Sequence, residues 1–444
     1  MDRPLTTEAT QPTFSDRIVN NAMYYQHDPR VPVTSLSIVY HGAGFQQEGG
    51  AQTGLAKVTA RTLFRGTPKL TRGMISKQFE LLGATVEAHV SEADFIISIS
   101  SFSKHLSEVL HLLAEIIRDA EFQQAELDLV KKHELNSMEA ALQDHDRVLS
   151  AAHEYVLYGR DTFGKLGSRS AIRDMTREHV MAYFGSVRSC PIVFCTAITD
   201  LSREHLLQHL DVILAARPTD GFTLRPEKHF RNSSGSEAVI VHSAGASNDR
   251  LRWSHRGLTA SDERRFDLSL IIDGLGSFEG FLFDQLRNRR GWCYGAYASV
   301  MQPTTRPGRV AYYADPSAET SDKLIPEMLR LLHTFPDESD FKQRLAERNE
   351  TFKNRYAYQL EIKKKLWNEV NRDRYGIPIL DRGEYVKRID AVNYSTARKV
   401  IGEVFDLRNL TMVFYGDADR LQKILHHAAP GITPVVLGQE VLTS

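Results

Sequence analysis

The order of elements legible in the first half of this chain recurs in the second, and that repetition restricts the fold more than any single motif. In VPVTSLSIVY, Leu36, Ile38 and Tyr40 alternate with small polar residues, the period-2 mark of a half-buried strand. A glycine turn follows at Gly42 to Gly44, then a helix over 55–64. A second helix carries Ile75, Phe79 and Leu82 on one face and stops at Gly83. Two strands come next, over 85–90 and 95–102. A further helix bears Leu106, Val109, Leu110, Leu113, Ile116 and Ile117 as an apolar stripe. The second half reads alike. Strands over 238–242 and 251–257 precede helices over 262–275 and 280–288. Strands over 294–300 and 308–314 lead to a long helix over 318–334, which Pro326 is expected to interrupt. Each half closes similarly. An acidic helix start near Asp174 leads to the strand PIVFCTAITD, and Asp390 leads to LTMVFYGDAD.

Between the halves, ARPTDGFTLRPEKHFRNSSGSE (216–237) is rich in Pro, Gly, Ser and charge and has no sustained period. The expected division is an N-terminal domain over 15–222, a linker over 223–237 and a C-terminal domain over 238–444. With 444 residues the chain exceeds one ordinary core. The fold expected is α+β: two homologous domains, each a mainly antiparallel sheet covered by helices. Two unrelated α+β domains are the competing reading.

A formal charge of −1 gives no reason to expect general binding to nucleic acid or to a membrane surface. No run approaches the roughly 18 apolar residues that span a bilayer. The opening MDRPLTTEATQPTF is polar and has no apolar leader, as expected of a cytoplasmic chain or of a periplasmic one whose leader was removed. Cys190, Cys195 and Cys293 form neither a disulfide framework nor a zinc-ribbon pattern; buried thiols or a Cys190–Cys195 bridge are the alternatives.

The stretch GLAKVTARTLFRGT (54–67) keeps a frame of Gly54, Leu55, Leu63, Phe64, Gly66 and Thr67. This frame resembles the signature of the pitrilysin, insulysin and mitochondrial-processing-peptidase family, which carries an inverted zinc motif, H-x-x-E-H. The resemblance extends over the chain from about residue 15, and implies a processing-peptidase-like duplication. It puts Lys57 and Arg61 at the histidine positions and Ala60 at the glutamate position. Zinc needs neutral imidazole or anionic ligands. At i and i+4, two cations share one helix face, offer no lone pair and repel a divalent ion. Alanine cannot act as general base. The family's third ligand lies on a later helix, and its spacing lands on Met138, beside Glu139. No metal is therefore expected in this chain. His205 and His209 are four apart in SREHLLQHL but read as solvated residues of an amphipathic helix; His133-Glu134 and His426-His427 are weaker candidates still.

In LRNRRGWCY, Arg287 stands seven residues before Tyr294. From spacing alone, Arg287 reads as part of a solvated helix face with Arg289 and Arg290, and Tyr294 as a strand aromatic. The segment is similar to the Arg and Tyr pair that active family members bring to the substrate beside the metal. The resemblance implies donors for the negative charge that develops on an attacked carbonyl oxygen. The preceding DGLGSFEG lacks a full G-x-G-x-x-G, so Gly274, Gly276 and Gly280 read as turn and packing glycines rather than a nucleotide loop.

A lost zinc half and a kept donor half imply division of labour. The chain is expected to be inactive alone. Paired with a homologous subunit that holds zinc, it would supply Arg287 and Tyr294 in trans to the hydrolysis of peptides or unfolded proteins in a chamber between subunits. A structural core-type scaffold and a peptide-binding module without catalytic role are the alternatives.

Overall fold

A computed structural model describes residues 23–49, 52–158, 166–190, 193–214, 235–303, 308–359 and 361–444. Residues 223–234 of the expected linker, and the polar opening segment, lie outside them. The chain divides into two compact units. Of the described residues, the first takes 23–48, 54–132, 174–190 and 193–214, and the second takes the remainder.

The first unit is built on β1 (Met23–His27), β2 (Val33–His41), β3 (Thr85–Val90), β4 (Asp94–Phe102) and β5 (Val193–Thr199), in the order β1-β5-β2-β4-β3. β5 runs parallel to β1 and antiparallel to β2. Register puts the alternating apolar residues on one face. Leu36, Ile38 and Tyr40 of β2 stand opposite Ile99, Ile97 and Phe95 of β4, and opposite Ala197, Cys195 and Val193 of β5. All nine are buried. The other face is hydroxylated, with Ser35 and Ser37 opposite Ser100 and Ser98. Helices α1 (Leu55–Thr62), α2 (Arg72–Leu81) and α3 (Leu106–Asp119) follow where the periodicity puts them, and Gly83 takes the left-handed conformation after α2.

The second unit uses β6 (Glu237–His242), β7 (Arg250–Gly257), β8 (Cys293–Met301), β9 (Gly308–Pro316) and β10 (Thr411–Gly416). Their order, β6-β10-β7-β9-β8, is the same permutation as in the first unit, with β11 (Val435–Leu437) added outside β6. In both sheets the last long strand enters between the first two, parallel to one and antiparallel to the other. Two unrelated domains would not share this permutation, and the fold is the duplicated α+β arrangement expected from the repeat.

Chain order and unit membership part company at the long helices. α4 (Gln124–Leu142) begins in the first unit, while α5 (His145–Tyr158) belongs to the second. There Val148, Leu149, Ala152 and Val156 cover Val239, Val241, Val413 and Tyr415. The opposite faces of these strands, with Ile240, Met412 and Phe414, join the main core with α9 (Arg265–Gly276). β6 and β10 are thus buried on both faces, which explains their continuous apolar runs.

Three local expectations are corrected. Asp174 closes a short helix, α6 (Arg169–Asp174), and the next one, α7 (Arg177–Arg188), is started by Thr176, whose hydroxyl accepts from His179 N–H. Asp390 likewise ends a helix, and Asn393 caps the next (Tyr394–Val404). A neutral oxygen suffices for a cap. Pro326 does not interrupt its helix, which runs over Ser321–Thr334. The proline lies in the second turn and removes one backbone bond, while Leu324, Ile325, Met328, Leu331 and Leu332 are all buried and hold the helix down.

Two histidines of the second unit are buried uncharged. His153 of α5 bonds Ser254 Oγ at 2.7 Å, and burial pushes its pKa well below the usual value. His255 contacts the Arg256 carbonyl at 2.8 Å and the Tyr312 hydroxyl at 2.9 Å, and burial pulls it down to about 4. As pH falls below the ordinary histidine value near 6.5, the unfolded chain takes up protons that the folded unit refuses. Stability present above pH 6.5 should be lost towards pH 4, by about 1.4 kcal/mol per pH unit from His255, with His153 acting in the same direction. Urea titrations at stepped pH would show it; a flat midpoint across that window would contradict it.

Candidate functional site

The motif helix α1 is fixed at its start by a carboxylate. Gly54 precedes it with φ of 94°, a left-handed turn that favours glycine. Glu48, buried, accepts from Gly54 N–H at 2.9 Å and from Ala56 N–H at 2.6 Å. Amide groups at a helix start have no partner within the helix, and an anion is favoured there. Leu55, Ala56, Val58, Thr59, Ala60 and Thr62 are buried, and the helix packs against α7 and β3.

Lys57 and Arg61 both lie on the exposed strip of α1, one turn apart. The structure therefore keeps the two cations on a common face, as their spacing requires. Ala60 does not lie between them at the surface: its methyl is turned inward and buried. On α4, the buried side runs through Leu127, Val130, Glu134, Met138 and Ala141, at 3–4 spacing. Glu139 is exposed, so the inward carboxylate of that helix is Glu134. Two cations and a methyl do not make a zinc donor set. Among the described residues no group of three or more His, Cys, Asp or Glu is arranged to hold a metal. His205 is exposed on its helix, α8 (Arg203–Leu214), while Leu206 and Leu210 face inward. His133, His426 and His427 are exposed as well. None of the three cysteines is in a disulfide, and Cys190 and Cys195 are buried.

In the second unit, α9 leads through a turn at Ser277–Gly280 to α10 (Phe281–Phe283), which runs on as a π turn over Asp284–Asn288 carrying Arg287. Gly276 presses on β8: a Cβ there would lie 1.9 Å from the Ala298 nitrogen. Gly280 starts α10, and Gly274 packs beside Leu345, so these glycines serve turns and packing. Gly291, with φ of 66°, turns the chain into β8.

β8 then breaks its register on β9 between Cys293 and Ala296. Regular alternation would put Tyr294 on the face of Ala296, which is buried in the core. The bulge re-aims it, and Tyr294 is 74% exposed. Arg287 and Tyr294 meet there. The guanidinium carbon is 4.6 Å from the Tyr294 ring centre and 5.0 Å from that of Phe283, and one guanidinium nitrogen donates to the Tyr294 carbonyl at 2.5 Å. Phe283 is buried and packs in turn on Phe278 and Tyr297. The ring faces and the carbonyl fix the guanidinium, leaving its other donors and the exposed phenol on one surface. Beside them the Cys293 thiol is pushed up to about 12 by burial, then by Asp315, and is unsuited to be a nucleophile.

The sequence singles out Arg287 and Tyr294, gives Glu134 only as a weak candidate beside His133, and marks neither Glu48 nor Phe283. The i, i+4 step from Phe283 to Arg287 was a readable signal. Nothing local marked Glu48, whose partners lie six and eight residues on.

Comparison with known proteins agrees with this architecture. The model of the insulinase family, peptidase family M16, matches residues 22–164, which hold the degenerate motif, and that of the M16 inactive domain matches 174–347, which hold Arg287 and Tyr294. The chain belongs to the M16 peptidase family. It is 24% identical over 287 residues to the mitochondrial-processing peptidase subunit beta of Rattus norvegicus, covering 57% of this chain and 58% of the relative. It is 24% identical over 159 residues to an uncharacterized zinc protease of Rickettsia felis, covering 35% and 38%. The match thus spans less than two thirds of these relatives. A peptidase M16 inactive domain from Pseudomonas fluorescens superposes with a TM-score of 0.77 at 19% identity over 90% of this chain and 96% of that one. A chain of complex III2 from Candida albicans does so with 0.71 at 12% identity, over 95% and 97%. These likenesses are of fold. Among the described residues no helix is long and apolar enough to cross a membrane.

Replacing Glu48 by Ala leaves two helix-start amides of α1 without their acceptor. It should lower stability by about 2 kcal/mol, with Glu48→Gln nearer the parent. Denaturant unfolding followed by circular dichroism would measure this, and an unchanged midpoint in Glu48→Ala would refute the anchoring role.

Proposed function

We propose that this chain is the zinc-less subunit of a two-subunit zinc metallopeptidase and completes the site of a homologous, zinc-bearing partner with Arg287 and Tyr294. The observation that carries the reading is the contrast between two places in one chain. At α1, where the family's motif would hold zinc, two cations share the exposed face and the general-base position is a buried methyl. At β8, a bulge and a stacked guanidinium hold a donor pair ready at the surface. A single-chain peptidase needs both halves; a subunit needs one.

In this reading the partner's site polarises the peptide bond, and the residues of this chain meet the negative charge that grows on the carbonyl oxygen. The guanidinium supplies a charge-assisted hydrogen bond and the phenol a neutral one. Both are fixed beforehand, so little reorganisation is needed as charge develops. The substrates are peptides or unfolded segments. A scaffold role would leave a buried phenyl ring, a bulge and a carbonyl converging on one arginine without purpose, and a peptide-binding module would have no need of a donor pair.

The test is reconstitution with the zinc-bearing homologue. Arg287→Ala and Tyr294→Phe should each lower kcat/KM of the complex about 10²–10³-fold without loss of assembly. Full activity in both variants would reject the donor role. Recovery of a membrane complex and no peptidase in a pull-down would favour the scaffold.

A further inference from the structure

Asp315, on β9, belongs to no motif, yet it reaches the bulge that displays Tyr294. Its carboxylate accepts from Gly295 N–H at 2.7 Å. The Tyr294 carbonyl accepts from Arg287 at 2.5 Å. The Tyr294 C=O and the Gly295 N–H are the two ends of one peptide group. That group is therefore held between an anion on its N–H side and a cation on its C=O side. Each bond polarises the amide in the direction that strengthens the other.

The surroundings leave this peptide group few alternatives. A Cβ on Gly295 would lie 2.4 Å from the Tyr297 ring, so only glycine fits there without a shift. The register break between Cys293 and Ala296 removes the ladder bonds that would otherwise orient it. Arg287 is braced on its other side by the buried Phe283. Asp315 is half-buried, and burial raises its carboxyl while the Gly295 bond opposes the rise.

We propose that Asp315 is a positioning residue: through the Tyr294–Gly295 peptide group it fixes both the direction of the Arg287 guanidinium and the outward aim of the Tyr294 phenol. It touches neither substrate nor the reacting atoms. The inference rests on the donor role proposed above, and it adds a residue that neither the resemblance nor the local sequence marks.

The experiment has two readouts. The first needs no partner: amide hydrogen exchange at Gly295 in the isolated chain. Exchange there should be slow in the parent, fast in Asp315→Ala, and slow again in Asp315→Asn, whose amide oxygen still accepts. The second is peptidase activity of the reconstituted complex. Asp315→Ala should lower kcat about tenfold with KM little changed, because an interaction made in the transition state is weakened, and Asp315→Asn should restore most of it. Slow Gly295 exchange in Asp315→Ala overturns the clamp whatever the activity. Fast exchange with undiminished kcat, in a complex that Arg287→Ala inactivates, overturns the positioning role. Full activity of Arg287→Ala would instead reject the donor reading itself, so the two failures are distinguishable. Unfolding midpoints of the variants exclude global loss of structure as the source of either change.

Discussion

Both units depend on one pairing event: the closing strand must enter between the first two. β5 lies between β1 and β2, and β10 between β6 and β7, each making one parallel and one antiparallel ladder. Until that strand arrives, the first strand of each unit has no place in the sheet. The pairing joins residues far apart in sequence, such as Met23 with Cys195 and Thr411 with Glu237. The motif helix and the Arg287–Tyr294 pair sit at the far strands of these two sheets. α1 lies against β3, and the bulged β8 is held on β9, which is paired in turn with β7.

On this common scaffold the two halves differ in what they carry of the family's motifs. The first retains the frame of a metal motif around residues that repel metal. Leu55, Leu63 and the buried side of α1 preserve the packing, so the helix survives the exchange of its ligands for cations. Packing and ligation use different faces of the helix, which is why one can be lost without the other. The second half preserves a constellation that packing does not require. A tyrosine that is mostly exposed contributes little to the core. Its ring, a buried phenylalanine and a backbone carbonyl nevertheless converge on one arginine.

Much of the fold was legible because apolar alternation survives in the sheets. Leu36, Ile38 and Tyr40, and the stripe from Leu106 to Ile116, declare their elements and their buried faces. The short MYYQH strand, β1, was not legible, because five residues with mixed burial carry no clear period. α5 was missed for another reason. It lies in the first half of the chain but covers the second sheet, so no repeat pattern announces where it packs. Asp174 and Asp390 misled because acidic residues mark helix starts, whereas here they end helices and neutral caps begin the next ones. At the site, Arg287 and Tyr294 were singled out by the family resemblance, since their spacing alone reads as a solvated helix face and a strand aromatic. Asp315 and Glu48 act on backbone amides, which have no side chain to advertise a partner, and only the folded chain shows them. Counting put the third-ligand position at Met138, beside Glu139, and Glu139 is exposed. Helix phase, which counting ignores, puts Glu134 on the buried side with Leu127 and Met138.

The central claim is electrostatic: the face of α1 that bears Lys57 and Arg61 does not hold a divalent ion. It is tested most directly by the zinc content of the isolated chain after equilibration with zinc and removal of the excess, read by elemental mass spectrometry beside a peptide-hydrolysis assay. The account predicts background zinc and no turnover. One zinc per chain, displaced by substitutions on α1 and accompanied by cleavage of peptide, would contradict it.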